Sequence, residues 1–206
     1  MASKKTYLNW IFWFSIGNAI LFWGIGLRYF AVILPFHLST STVINQFIAW
    51  LFLLSAYFGQ LGLFACLAAV LPSLFLFLYP KKYLIFTSAI SIAFLLAWLL
   101  CLDTFVFSQY RFHLNGILWD LLTSGQANEV FDLSWLEWLV IGLLSIFLLG
   151  VEIALALFLW KKCRNKPFRS KYPLFLVGCL LFSYYMLALI VPFSGSLSLN
   201  QQAYTI

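Results

Sequence analysis

Charge is what this chain of 206 residues has least of. Charged residues make up 9% of it and hydrophobic residues 64%, against roughly 25% and 45–50% in a soluble domain. So few charges cannot cover a water-facing surface, which excludes a soluble globular protein and leaves an integral membrane protein. Acids are scarcer still, six Asp and Glu against twelve Lys and Arg, and the two imidazoles are His37 and His113. A metal-dependent phosphatase or transferase needs Asp and His ligands gathered around a Ser or Thr nucleophile. Two histidines in separate loops do not make such a set, so no catalytic residue, no metal and no cofactor is expected. The four cysteines, Cys66, Cys101, Cys163 and Cys179, form no C-x-x-C pair and sit in apolar runs or a basic loop. They read as small packing residues, not as a disulfide or zinc framework. The first apolar run also lacks the small-x-small cleavage pattern of a signal peptide, so it is expected to stay as an anchor.

What is present is apolar length. A helix needs about 20 such residues to cross a hydrocarbon core of about 30 Å, and five stretches qualify. The first runs from Tyr7 to Leu27, closed by Arg28 and Tyr29, with Asn18 at its centre. A mid-span amide is read as interhelical glue, since lipid offers it no partner. Residues 30 to 42, with Pro35, His37 and Ser39 to Thr42, form a loop whose hydroxyls can cap the next helix. That helix continues through Tyr79, which is too long for a vertical span, so its start is expected to protrude or lie along the interface. Within it Ser55, Gly59, Gly62, Cys66, Ala69 and Ser73 recur at steps of three and four. They define one stripe of small residues on which another helix can approach closely. Gln60 beside the stripe needs a partner in the bundle, and Pro72 is expected to bend the last turns.

A basic turn, Pro80-Lys81-Lys82, leads to the third span, Tyr83 to Leu102. Asp103 ends that span in this reading. Asn115 then caps a short helix in which Leu114, Ile117, Leu118, Leu121 and Leu122 share one face, with Gly125 as its stop. Such a helix is amphipathic and expected to lie on the membrane. The fourth span opens on Ser134-Trp135-Leu136-Glu137, a capping-box pattern, and continues to Trp160. Inside it Glu152 is an ionisable group costing about 3 kcal/mol at mid-bilayer, so it must face protein or water; Asn18 or Gln60 is its expected neutraliser. A loop with Lys161, Lys162, Arg164, Lys166, Arg169 and Lys171 follows, and Tyr172 to Val191 is the fifth span. Residues 1–191 thus form a membrane domain, and 192–206 the start of a polar linker.

The net charge of +6 would suggest nucleic acid in a soluble protein. Here ten of the twelve basic residues fall at the N-terminus, the 80–82 turn and the 161–171 loop, which is a topology signal, and no nucleic-acid partner is expected. Basic loops stay in the cytoplasm, so the N-terminus is expected inside and the C-terminus outside. Trp10, Trp119, Trp135, Trp138 and Trp160 fall near the expected interfaces, as an aromatic belt requires. The fold class expected is an all-α membrane protein of five transmembrane helices with an interfacial helix between the third and fourth.

Polar residues in a fixed order carry a resemblance. Asn18 is followed by Gly26-Leu27-Arg28-Tyr29, and Leu100-Cys101-Leu102-Asp103 leads into Val106-Phe107. Next come His113-Leu114-Asn115 with Ile117 and Trp119, then Asn128-Glu129, and Glu152 stands eight residues before Trp160. Together these resemble the N-terminal membrane domain of the YejM/PbgA family, over nearly the whole chain. The resemblance implies five helices that precede a periplasmic domain of sulfatase or alkaline-phosphatase fold. It also implies residence in the inner membrane of a Gram-negative bacterium and a part in lipopolysaccharide homeostasis. There, lipid sensing would be coupled to an adaptor of LapB type that controls destruction of the deacetylase LpxC by FtsH. Two features depart from the family pattern: Ser183-Tyr184 is followed by Val191-Pro192-Phe193, and Ser194 to Ile206 has no Lys or Arg where the family holds lipid A.

Two functions follow as expectations. In one the chain is a non-catalytic regulatory module, and in the other a passive anchor for a periplasmic sulfatase-like, phosphatase-like or phosphoethanolamine-transferase-like enzyme. For the first, Arg28, Asp103, Arg111, His113, Asn115 and Trp119 would meet periplasmic lipid or the protein's own periplasmic domain. The basic inner loop would meet anionic phospholipid such as cardiolipin, or the adaptor. Asp103 and His113 could form an acid–base pair if the outer loop folds back, but no third group is evident to orient it.

Overall fold

The computed structural model describes residues 3–33, 43–110, 113–114 and 134–165, together with Phe182 and Tyr185. Four long helices account for almost all of them: α1 (Lys4–Ile33), α2 (Val43–Leu78), α3 (Lys82–Tyr110) and α4 (Trp135–Asn165). Each contains a stretch apolar and long enough to cross a membrane, and among the described residues there is no strand. Phe182 and Tyr185 are helical and exposed. The remainder of the expected fifth span, the 34–42 loop, the interfacial helix and the linker lie outside the described residues.

The helices outrun the boundaries expected of them. α1 continues five residues past Arg28, because Tyr29 and Phe30 still pack against neighbours and keep the backbone helical. α3 does not end at Asp103 but carries it two turns inside, to Tyr110. α4 continues past Trp160 to Asn165, taking Lys161 and Lys162 into its last turns, where cations face the negative end of the helix dipole. α2 has 36 residues, about 54 Å of helix, more than a bilayer's thickness; its apolar span is Leu53–Leu78. It runs through Pro72, which is fully buried. The N-terminus of α4 carries the capping box read from sequence. The Glu137 carboxylate accepts from the Ser134 backbone N–H at 2.7 Å and from its hydroxyl at 2.9 Å, while Ser134 Oγ accepts from the Glu137 N–H at 3.4 Å.

α1 is the centre of the bundle. It touches α2, α3 and α4, α3 touches α2 and α4, and α2 and α4 do not meet. Because lipid is as apolar as Leu, what joins such helices is close packing and interhelical hydrogen bonds. Aromatic donors supply one at almost every contact. Trp10 Nε1 donates to the Ala156 carbonyl at 3.0 Å, Trp23 Nε1 to the Phe58 carbonyl at 3.3 Å and Trp98 Nε1 to Ser145 Oγ at 2.9 Å. The Tyr57 hydroxyl donates to the Trp23 carbonyl. Trp10 is therefore not a belt residue as expected. It is fully buried, stacked on Phe86 with ring centres 4.0 Å apart. Trp135 and Trp138 are exposed, as belt residues would be.

On α2 the deepest line is Leu61, Ala65, Ala68, Pro72 and Leu76. The expected small stripe lies one residue round the helix from it: Gly59 and Gly62 are buried, whereas Ser55, Cys66, Ala69 and Ser73 are half-buried. The tightest approach comes from α1 instead. A Cβ on Gly26 would stand 2.6 Å from Leu61 Cδ1 and 3.0 Å from Tyr57 Cε2. On Gly62 it would meet only Trp23, at 3.9 Å.

Candidate functional site: the Asp103 node and the Glu152 centre

Lys4, Lys5, Lys81, Lys82, Lys161 and Lys162 gather at one end of the antiparallel bundle, and Arg28 and Asp103 lie toward the other. At that second end a node forms around one carboxylate. Asp103 Oδ2 accepts from the Tyr29 hydroxyl at 2.5 Å and lies 2.7 Å from His113 Nδ1, while Oδ1 accepts from the Leu114 backbone N–H at 2.5 Å. One side chain therefore ties α1 and α3 to the segment beyond α3. Aromatic rings wall the node: His113 stacks on Phe107 with centres 4.6 Å apart, and Phe107 meets Tyr29 edge-on at 5.4 Å. Asp103 has 17% of its side chain exposed and His113 60%, so the carboxylate is sheltered and the imidazole is presented outward.

This arrangement supplies what the sequence did not reveal. Residues 113–114 return to α3, and Tyr29 and the Leu114 N–H are the further groups that orient the Asp103–His113 pair. In a neutral imidazole, an Nδ1–H donated to the carboxylate leaves Nε2 as the acceptor. Tyr29 was visible in sequence as a residue closing a span and as part of the Gly26-Leu27-Arg28-Tyr29 run, with no partner assigned to it. Its likeness in depth to Asp103, each near the far end of its own apolar run, is the signal that pairs them. Arg28, next to Tyr29, is exposed, with its guanidinium 6.0 Å from the centre of the Phe105 ring. Arg111, Asn115 and Trp119 lie outside the described residues.

The second polar feature is in the middle of the bundle. Glu152 on α4 and Asn18 on α1 are both fully buried, and Asn18 is the side chain that acts on Glu152. Asn18 Nδ2 donates one hydrogen to the Phe14 carbonyl of its own helix at 3.0 Å. Asn18 Oδ1 and both Glu152 oxygens have no formed hydrogen bond. Gln60, the other expected neutraliser, is exposed on α2, and α2 does not touch α4. Distance rules it out.

At the basic end Lys82 Nζ lies 5.2 Å from the centre of the Trp160 ring and 5.5 Å from that of Phe86, and Lys162 Nζ lies 6.0 Å from Phe158. Tyr7 stacks on Trp160 at 5.2 Å. Two of the cations at this end, Lys82 at the start of α3 and Lys162 near the end of α4, are thus held over aromatic faces, a contact worth about 0.5–1 kcal/mol at exposed sites. The side chain of Arg164 and all of Lys166, Arg169 and Lys171 lie outside the described residues. Among the described residues, no three His, Cys, Asp or Glu side chains converge as metal ligands would, and Cys66, Cys101 and Cys163 are free thiols.

Four long apolar helices around a polar centre, joined by aromatic hydrogen bonds, define a multi-pass helical membrane protein. Residues 2–191 match the family described as "Domain of unknown function (DUF3413)", and the chain belongs to it. It is 26% identical over 166 residues to the inner membrane protein YejM of Salmonella typhimurium strain LT2, and equally to that of Salmonella typhi. Each alignment covers 80% of this chain and 26% of the relative, so the chain spans about a quarter of the length of the curated relatives it matches. The family is that of the YejM membrane domain, in agreement with the ordered polar residues.

Proposed function

We propose that the chain is a non-catalytic regulatory membrane domain of the bacterial inner membrane. It crosses the membrane five times, with its basic end in the cytoplasm and its Asp103 end in the periplasm, and an interfacial helix between α3 and the helix α4. Its task is lipopolysaccharide homeostasis, in which lipid or periplasmic-domain contact at the outer end is coupled to an adaptor of LapB type that controls LpxC proteolysis by FtsH. The YejM relatives are named inner membrane proteins, which supports the location. The one-sided distribution of Lys and Arg supports the orientation.

The observation that carries a regulatory over an anchoring role is the Asp103 node. An anchor needs apolar length and nothing more. Three hydrogen bonds to one carboxylate instead hold a defined surface, with His113 exposed on it and Arg28 exposed toward the same end of the bundle. A headgroup phosphate can accept from Arg28 there, or a soluble domain can dock on the imidazole edge. Lys161 and Lys162, with the basic residues after them, provide the cytoplasmic surface for the adaptor or for anionic lipid at about 1 kcal/mol per cation.

Adaptor co-purification from detergent tests this reading. Wild type is expected to retain a LapB-type adaptor, and a variant with Lys161, Lys162, Arg164 and Lys166 made neutral to lose it. Absence of the adaptor from both would overturn the regulatory reading in favour of an anchor.

A further inference from the structure

The buried Glu152 is used by none of the contacts above, and its surroundings say what state it is in. It stands about 25 Å of helix beyond Trp135 and about 16 Å before Cys163, near the middle of a span that runs Trp135–Cys163. The partner helix brings Asn18, itself midway along its span. An ionised carboxylate only accepts hydrogen bonds, and an amide offers one acceptor and two donors. One Asn18 N–H is already committed to Phe14. If Glu152 were charged, the remaining N–H could serve one carboxylate oxygen, but Asn18 Oδ1 would stay without a donor and face a negative charge. No Lys, Arg or His among the described residues acts on Glu152, and on the helices that touch α4 the polar group beside Asn18, Ser15, is engaged with its own Ile11 carbonyl. An isolated charge in such a place neutralises instead of persisting.

We infer that Glu152 is a proton-binding site inside the membrane, held as a neutral carboxylic acid and paired with the Asn18 amide. The acid O–H donates to Asn18 Oδ1 and the free Asn18 N–H donates to the acid C=O. That one added proton provides a partner for Oδ1 and both carboxyl oxygens, three of the four buried side-chain atoms that lack one among the described residues; the fourth, Asn9 Oδ1, lies more than two turns away along α1. A bound metal cation would do this poorly, because hard cations take six or more oxygen ligands and this centre offers three. The inference is independent of the adaptor and of lipid recognition. It makes the α1–α4 contact dependent on a proton, so a carboxylate formed there would leave α1 and α4 with a buried charge between them.

Infrared difference spectra of the full chain in lipid vesicles at neutral pH provide the test. Wild type minus Glu152→Gln is expected to show the C=O band of a protonated acid that the variant lacks, with no change in carboxylate bands. Loss of a carboxylate band instead would overturn the inference. Asn18→Leu keeps the acid and removes its partner, so the band must remain and move to the higher frequency of a free acid; an unmoved band would overturn the pairing. Should either variant fail to fold, the wild-type band must shift when the protein is prepared in D2O, and absence of any acid band would sink the proposal. A thermal midpoint that rises with added Na+ in wild type and not in Glu152→Gln would assign the site to a cation and overturn the proton.

Discussion

If the Asp103 node holds its end of the bundle together, Tyr29 and Asp103 must depend on each other energetically. Asp103→Ala removes the bonds from the Tyr29 hydroxyl, the Leu114 N–H and His113 together. A hydrogen bond to a charged partner contributes about 1.5–3 kcal/mol. The His113 share is smaller, about 0.5 kcal/mol, because that imidazole is mostly exposed and surface ion pairs are worth about 0–1 kcal/mol. With about 1.5 kcal/mol for Tyr29 and about 1 kcal/mol for the Leu114 amide, Asp103→Ala should cost about 3 kcal/mol. For a chain of this size that is a fall of roughly 6–12 °C in thermal midpoint. Tyr29→Phe should cost about half as much, and in the Asp103→Ala background it should cost nothing more. The cycle then has a coupling near 1.5 kcal/mol, about a tenfold change in an equilibrium constant. Thermal unfolding in detergent is readily followed by the fluorescence of the nine tryptophans. Strict additivity of the two substitutions would refute the node as a shared structural tie.

Other expectations use the same assay. Gly150→Ala, whose Cβ would meet nothing within 4 Å, should stabilise by up to about 1 kcal/mol from helix propensity. Gly26→Ala should lose that gain or reverse it, because its Cβ presses on Leu61 and on the Tyr57 ring that the Trp23 carbonyl pins; equal effects at both sites would contradict the close α1–α2 approach. Trp10→Phe keeps the stack on Phe86 and removes the bond to Ala156, for about 1 kcal/mol. Trp10→Leu removes both and should cost about 3 kcal/mol. For orientation, a cysteine in place of Lys82 should react with a membrane-impermeant thiol reagent only after the inner membrane is opened, and one in place of Ser134 before it. The reverse pattern would invert the proposed topology.

Much of the bundle can be read from residue order because the bilayer imposes a single strong condition, enough apolar residues to satisfy every backbone group in a helix. That condition locates the starts of α1 to α4 within about three residues but leaves the ends of α1, α3 and α4 five to eight residues short, and the Ser134–Glu137 cap is local chemistry legible at a spacing of three. The errors lie where a neighbouring helix decides. Asp103 looked like the end of a span because it is charged, yet Tyr29 and the returning backbone at Leu114 satisfy it, and the helix can continue. Trp10 looked like a belt residue because it lies near a terminus, yet Ala156 offers its indole an acceptor inside the bundle.

The small residues of α2 show the same division. Their spacing of three and four defines a face, but which α1 residue comes closest to it depends on the rotation of both helices. The structure sets Gly26 against Leu61 and Tyr57, beside that face, and Trp23 against Gly62 on it, with Cys66 and Ala69 turned partly away.

Sequence alone therefore determined that this chain is a helical membrane protein of the YejM membrane-domain family, because composition and the order of polar residues survive without coordinates. Only tertiary structure decided which polar groups meet. Asp103 gains Tyr29 from α1 and His113 and Leu114 from the segment after its own helix, and Glu152 is brought to Asn18 and not to Gln60. The physical reason is that hydrogen bonds reach about 3 Å, while Tyr29 and Asp103 stand 74 positions apart along the chain and Trp10 and Ala156 146 apart. No periodicity within one helix encodes that meeting; the crossing of helices does.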